Sequence, residues 1–253
     1  MYSNDAADKT SLAEERRRGL NLAYVPAQLE GTLFAWSGGK DSAMALHELK
    51  RSGAYKIQAL LTTITKDYDR ISMHGVRCTL LEAQAESIGL PLEKVFITKD
   101  ASHQSYEDAM RETLLYYRKK GVGSVVFGDI FLEDVRAYRQ KNLAGVGMEA
   151  LFPLWKKDTQ ELADAFIKEG FKAVVTCVDT KLLDGSFAGR EYDEDFVSAL
   201  PAGVDPCGEN GEFHSFVYAG PIFKKSIAIT RGEIVLRDSR FVYCDLVPAG
   251  TTT

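Results

Sequence analysis

The chemistry of this chain gathers first at Ser37-Gly38-Gly39-Lys40-Asp41-Ser42. This hexapeptide separates an apolar run, Thr32-Leu33-Phe34-Ala35-Trp36, from an amphipathic run that begins at Ala43 and carries Met44, Leu46 and Leu49. A strand, a glycine turn and a helix start, in that order, build an anion cradle. The glycines let backbone approach a ligand closely, and the first helical N–H groups and the positive end of the helix dipole point at it. Lys40 adds a point charge, and Ser37 and Ser42 add hydroxyl donors. The expected ligand is a phosphate chain. Asp41 either orients the loop and Mg²⁺ or caps the following helix.

The loop is not of the Walker type, which requires glycine where this chain has Phe34 and Ser or Thr where it has Asp41. Two adjacent glycines also fail the dinucleotide fingerprint. All six residues match, and so resemble, the PP-loop of the ATP pyrophosphatase superfamily. That resemblance implies ATP cleaved between its α and β phosphates, AMP passed to an acceptor, and pyrophosphate held in the loop.

A second constellation is Asp205-Pro206-Cys207-Gly208-Glu209-Asn210-Gly211-Glu212-Phe213-His214-Ser215. Its glycines and asparagine make a turn-rich loop, and it concentrates carboxylates, an imidazole, a thiol and hydroxyls. With Phe152-Pro153-Leu154-Trp155 and Phe187-Ala188-Gly189-Arg190, the two loops resemble the diphthine–ammonia ligase family of PP-loop ATP pyrophosphatases. The likeness runs from about Leu33 to Phe223, and the family pattern Gly-Glu-x-Gly-Glu-Phe stands here as residues 208–213. It implies conversion of the carboxylate of diphthine, a modified histidine on translation elongation factor 2, into an amide. ATP and ammonia are consumed, and AMP and pyrophosphate are released. Asp129, Asn210 and His214-Ser215 depart from archaeal and eukaryotic members and resemble a bacterial-type branch, so the reaction type carries over better than the acceptor.

Further candidates follow from position. Thr62 and Thr63 end the second expected strand, where related sheets hold adenine by backbone groups; ordinary strand filling is compatible with that role. Met73 and His74, in the next loop, are candidates for the nucleotide pocket. Gly128 and Asp129 follow the fourth strand, with Asp129 and Asp41 as metal candidates. Arg190 could clamp a substrate carboxylate or pair with Glu191 or Asp193. Glu209 and Glu212 are read as catalytic, and Glu209, Asn210, Gly211, Glu212 and His214 as substrate-binding. Cys207 is read as inert, since nothing lowers its pKa. Phe152 and Trp155 are read as core residues.

The elements that must position these groups alternate. Strands are expected at 31–36, 57–64, 94–98, 123–128 and 149–152. Helices fall between them, one near 75–89 and one near 105–120 with Ser105 at its start. Helical crossovers demand a parallel sheet, with ligands at the carboxyl ends of its strands. The expected fold class is α/β: a five-stranded doubly wound parallel sheet, which the resemblance makes adenine nucleotide α-hydrolase-like (HUP-type), followed by a smaller α+β domain. The divisions are a tail over 1–30, an ATP-binding domain over 31–155 and a substrate domain over 156–253. In the last, 181–223 reads as loop, and short runs at 226–230, 233–237 and 240–246 read as β-hairpins broken at Arg231-Gly232 and Asp238-Ser239.

Composition supplies the bounds. The 253 residues are 45% hydrophobic and 26% charged, ordinary values for a globular chain able to bury a core. No apolar h-region or spanning stretch is visible, which points to a cytoplasmic protein without membrane contact. Four dispersed cysteines suit a reducing compartment and argue against a zinc or iron–sulfur site. A net charge of -5 gives no general attraction to nucleic acid. The leading expectation is an ATP- and Mg²⁺-dependent amide ligase acting on a carboxylate, either the elongation-factor histidine or a small metabolite, with ammonia and a possible homodimer. The alternatives are an RNA-modifying PP-loop enzyme of thiolase or lysidine type, and a non-catalytic adenine-nucleotide-binding protein.

Overall fold

A computed structural model describes residues 31–71, 75–100 and 102–250. Met73, His74 and the expected tail lie outside the described residues.

The first sheet is built by β1 (Gly31–Ala35), β2 (Ile57–Thr65), β4 (Leu92–Ile97), β5 (Val122–Val126) and β6 (Glu149–Leu151), with β3 (Arg70–Ile71) a short addition. Five strands run parallel in the order β4-β2-β1-β5-β6, set by registers such as Phe34 opposite Leu60 and Val126, and Val126 opposite Leu151. β3 pairs antiparallel with the end of β2 at Ile64 and Thr65. The chain builds outward from β1 to β2 and β4, then returns to lay β5 on the other side of β1. The switch point therefore lies between β1 and β5, where such sheets open a crevice at their carboxyl ends.

Successive residues of each strand feed opposite cores, as a two-residue side-chain period requires. Phe34, Leu60, Val126 and Leu151 join one buried cluster. Leu33, Ala59, Leu61 and Val125 join another. Helices α1 (Lys40–Ser52) and α2 (Cys78–Ile88) cover the first face. Helices α3 (His103–Lys119) and α4 (Glu133–Ala144) cover the second. Left-handed Gly53 and Gly89 stop α1 and α2. The cap of α3 is Ser102, whose hydroxyl accepts from Ser105 N, so the helix begins at His103, two residues before the expected Ser105.

Beyond α5 (Thr159–Lys168), capped by Asp158, the second sheet is antiparallel. Its order is β8-β7-β10-β9, from β7 (Lys172–Asp179), β8 (Phe213–Ala219), β9 (Ile229–Arg237) and β10 (Phe241–Pro248). The first cluster continues into it through Val174, Val175, Phe216, Val217 and Leu246, so α1 and α2 are packed between two sheets. Two sequence expectations are corrected here. The 181–223 region holds a helical turn at Gly185–Phe187, α6 (Glu194–Ser198) and β8, so Phe213, His214 and Ser215 are strand residues. Arg231-Gly232 is not a turn: residues 229–230 and the 233–237 run join in β9, and 226–228 lie before it. Cys244 faces Ile234 while Leu246 faces Arg231, so one extra residue is accommodated there as a bulge. Asp238-Ser239 is the turn, with φ of 52° and 50°.

Candidate functional site

A cleft of about 960 Å³ opens over the switch point. Ser37, Gly39, Lys40, Asp41 and Ser42 form its floor after β1, Thr62 and Thr63 line it at the end of β2, and Gly128 and Asp129 line it after β5. From the second sheet come Glu209, Gly211, Phe213, His214 and Ser215. Two loops some 170 residues apart in sequence, as Lys40 and Ser215 are at 175, thus meet at one crevice.

The phosphate loop is held from outside itself. Gln84, fully buried in α2, accepts from Trp36 Nε1 at 2.9 Å and donates from Nε2 to Gly38 O at 3.1 Å and Val217 O at 2.6 Å. Val217 N donates to Gly38 O at 2.9 Å. Gly38 is turned away from the cleft at φ 77°, and a Cβ there would meet Gln84 and Leu81 at 2.7 and 2.8 Å. The hydroxyls of Ser37 and Ser42 are linked at 3.2 Å, and Ser42 also donates to Gly39 O. No side chain of its own segment caps the start of α1; instead Lys40 N donates to Ser215 Oγ at 3.2 Å. Helix N–H groups in this position favour an oxyanion. The close approach is completed by Gly128, where a Cβ would lie 3.0 Å from the backbone of Asp41 and Ser42. These features fit the triphosphate of ATP.

Lys40 is only 3% exposed. Its ammonium lies 2.9 Å from Asp41 Oδ2, donates to the carbonyl of Cys207, and sits over the Phe213 ring at 5.1 Å. Burial pulls its pKa down, but Asp41 and the neighbouring acceptors outweigh it and the net direction is up. The lysine stays charged. Burial raises the Asp41 carboxyl against the pull of Lys40.

The loop before β8 turns at left-handed Gly208 and Gly211. Tyr192 anchors it from below, donating to Pro206 O at 2.8 Å. Glu209 N donates to Asp205 Oδ2 at 2.8 Å, which turns the Glu209 side chain toward the first sheet. There its Oε1 accepts from Ile130 N at 2.7 Å. Burial, together with Asp41 and Asp129, raises its pKa to about 7 despite that bond. Burial also pushes His214 down to about 4, aided by Lys40, so it is neutral near pH 7. Burial drives the Cys207 thiol far above its usual range, which leaves it protonated and a poor nucleophile.

Four expected site residues are not brought into the cleft. Glu212 is buried beneath the loop, where Oε1 accepts from Asp205 N at 3.1 Å and Asn210 Nδ2 at 3.0 Å, so Glu212 and Asn210 hold the turn. Arg190 stacks over Phe187 and Phe196 at 4.6 and 5.5 Å. Gly38 is turned to Gln84, as above. Asp41 and Asp129 do line the cleft, but each already faces a cation: Lys40 for the former, Arg139 for the latter at 2.8 Å. Among the described residues no group of three or more His, Cys, Asp and Glu side chains converges on a metal position.

Sequence reasoning missed Gln84, Ser215 and Arg139. A glutamine inside a helix and a serine in a strand carry no local signal, and Arg139 lies on a helix whose surface is otherwise polar.

A PP-loop at the switch point of a doubly wound sheet, faced by the Glu209 carboxylate from the loop before β8, defines an ATP-using ligase class. The family model for the diphthamide synthase N-terminal domain matches residues 31–150, and that for the C-terminal domain matches residues 158–246. The chain belongs to the diphthine–ammonia ligase family. A Danio rerio diphthine–ammonia ligase is 29% identical over 224 residues, covering 79% of this chain and 86% of that protein. One from Schizosaccharomyces pombe is 27% identical over 222 residues, covering 80% of this chain but only 36% of that protein. The solved structure of Candida glabrata FMN adenylyltransferase with FMN and an ATP analogue aligns with a TM-score of 0.43 and 14% identity, covering 67% of this chain and 61% of that one.

Proposed function

We propose that this chain activates a carboxylate with ATP and closes an amide with ammonia. The enzyme is an ATP-dependent ligase that forms a carbon–nitrogen bond, and the observation that carries the reading is the meeting of the phosphate loop with Glu209 in one cleft. A free carboxylate does not react with ammonia because the leaving group would be an oxide. Its oxygen attacks the α-phosphorus, the bond to the β-phosphate oxygen breaks, and pyrophosphate leaves. Ammonia then attacks the carbonyl carbon of the mixed anhydride, the carbon–oxygen bond breaks, and AMP leaves.

The residues divide this work. The N–H groups at the start of α1, its dipole and Lys40 meet the charge of the departing pyrophosphate. Thr62 and Thr63 border the adenosine side. Glu209, near neutrality in its titration, takes the proton from ammonium so that the amine attacks as a neutral base. Residues 31–155 serve as the nucleotide half and 156–253 as the acceptor half.

The acceptor is a carboxylate, that of diphthine on translation elongation factor 2 or that of a small metabolite, and the relatives' common name supports the former. Four free, buried cysteines suit a reducing cytoplasm, and no described helix is long and apolar enough to cross a membrane. A homodimer is tested by light scattering. The reading as a whole is tested by incubating the chain with ATP, ammonium and elongation factor bearing diphthine. AMP, pyrophosphate and the acid-to-amide mass change are expected, and ADP as product would refute it.

A further inference from the structure

Four cationic side chains line the cleft: Lys40, Arg111, Arg139 and Lys141. Lys40 is engaged by Asp41 and the Cys207 carbonyl. Arg111 reaches the Gly145 carbonyl at 3.4 Å, and Lys141 is exposed. Arg139 differs from all three. Its Nε lies 2.8 Å from Asp129 Oδ2, its Nη2 donates to Asp129 Oδ1 at 3.0 Å, and its guanidinium carbon stands 4.3 Å from the centre of the Phe127 ring. A fork held on one edge by a carboxylate and on one face by a ring has lost most of its rotamer freedom before any ligand arrives.

The same geometry says what the fork can take. One guanidinium N–H donates to Asp129 Oδ1, while Nε lies against Oδ2 as an ion pair without a hydrogen bond, so most of the five N–H groups remain for a second partner. With Asp129 the group is close to neutral, so it offers directed donors rather than a surplus of positive charge. That suits a single planar carboxylate better than a triphosphate. The anchor also adjoins the phosphate loop: Asp129 follows Gly128, which abuts the backbone of Asp41 and Ser42.

We propose that Arg139 binds the acceptor carboxylate, with Asp129 and Phe127 as positioning residues that fix its plane. This is the carboxylate clamp that Arg190, stacked on Phe187 and Phe196, does not supply. The inference rests on the ligase reading.

The test compares wild type with R139M, R139K and D129N, measuring AMP release with elongation factor bearing diphthine, ATP and ammonium. The KM for the acceptor should rise about 10–100-fold in R139M, the scale of hydrogen bonds to a charged group, and less in R139K and D129N. The KM for ATP should stay within about 2-fold in all three, since no nucleotide contact is removed. R139K and D129N retain polar side chains of similar size and report even where R139M folds poorly. An unchanged acceptor KM, or a rise confined to ATP, overturns the anchor while leaving the ligase reading intact. If the factor is inert with wild type, the comparison is made on whichever member of a carboxylate panel yields AMP. A wild type that yields AMP with none of them overturns both.

Discussion

Glu209 Oε1 accepts a hydrogen bond from the amide of Ile130 at 2.7 Å, across 79 positions of chain. This bond joins the loop of the second sheet to the strand end where the first sheet reverses direction. It puts a carboxyl of raised pKa beside Asp41 and Asp129, whose charges push it further up.

A pH dependence follows. Acting as base, Glu209 must be ionised, so kcat should climb with pH through about 7 and then level. In Glu209→Gln that limb should vanish along with most of the rate. Folding stability carries the opposite slope. The native state holds this proton more tightly than the unfolded chain between about 4.5 and about 7, so stability declines as pH rises through that window. Chemical denaturation of wild type and variant at several pH values checks this, and identical pH slopes would contradict it.

Lys40 brings a buried ammonium into the phosphate loop itself. Lys40→Met should lower the rate by about 10²–10³, as loss of one preorganised donor does. Tight, normal ATP–pyrophosphate exchange by that variant would remove the loop from the mechanism.

Gly128 matters for what it lacks. A Cβ would sit 3.0 Å from the Asp41 carbonyl carbon and the Ser42 nitrogen, both main-chain atoms that cannot swing aside. Gly128→Ala should displace the start of α1 and weaken ATP binding by about 10-fold or more, on the scale of one or two charge-assisted hydrogen bonds. Titration calorimetry measures it, and an unchanged affinity would mean the loop tolerates the shift.

Gln84 joins three elements with one amide. Gln84→Leu leaves Trp36 Nε1 without its partner and takes one bond each from the carbonyls of Gly38, which keeps Val217 N, and Val217. A buried orphan costs about 1–3 kcal/mol and each lost bond about 1 kcal/mol, so a loss of about 2–4 kcal/mol is expected. The matching fall in Tm is about 5–15 °C for a chain of this size. Thermal unfolding reads it directly, and a shift below about 2 °C would show that water replaces the amide.

The aromatic ring under the second loop explains why so much chemistry gathers there. Tyr192, Phe196 and Phe213 pack at 5.2 to 6.0 Å between ring centres and carry the turn at Pro206. The turn is thereby built on core, and the ammonium of Lys40 rests above two of these rings, Tyr192 and Phe213.

Local patterns alone determined the alternation of strands and helices, the anion cradle at Ser37–Ser42 and the turn-rich loop at 205–212. Each depends on residues adjacent in the chain: a side-chain period, a glycine, a helix start. Tertiary structure alone decided which of the polar groups face the cleft. Glu209 and Glu212 are three residues apart, yet one reaches Ile130 and the other is buried under its own turn. Arg190 and Arg139 are equally cationic, yet one lies on Phe187 and the other on Asp129. Such outcomes are set by pairings between distant segments, where burial forces each polar atom to find a partner, and no spacing within a segment encodes them.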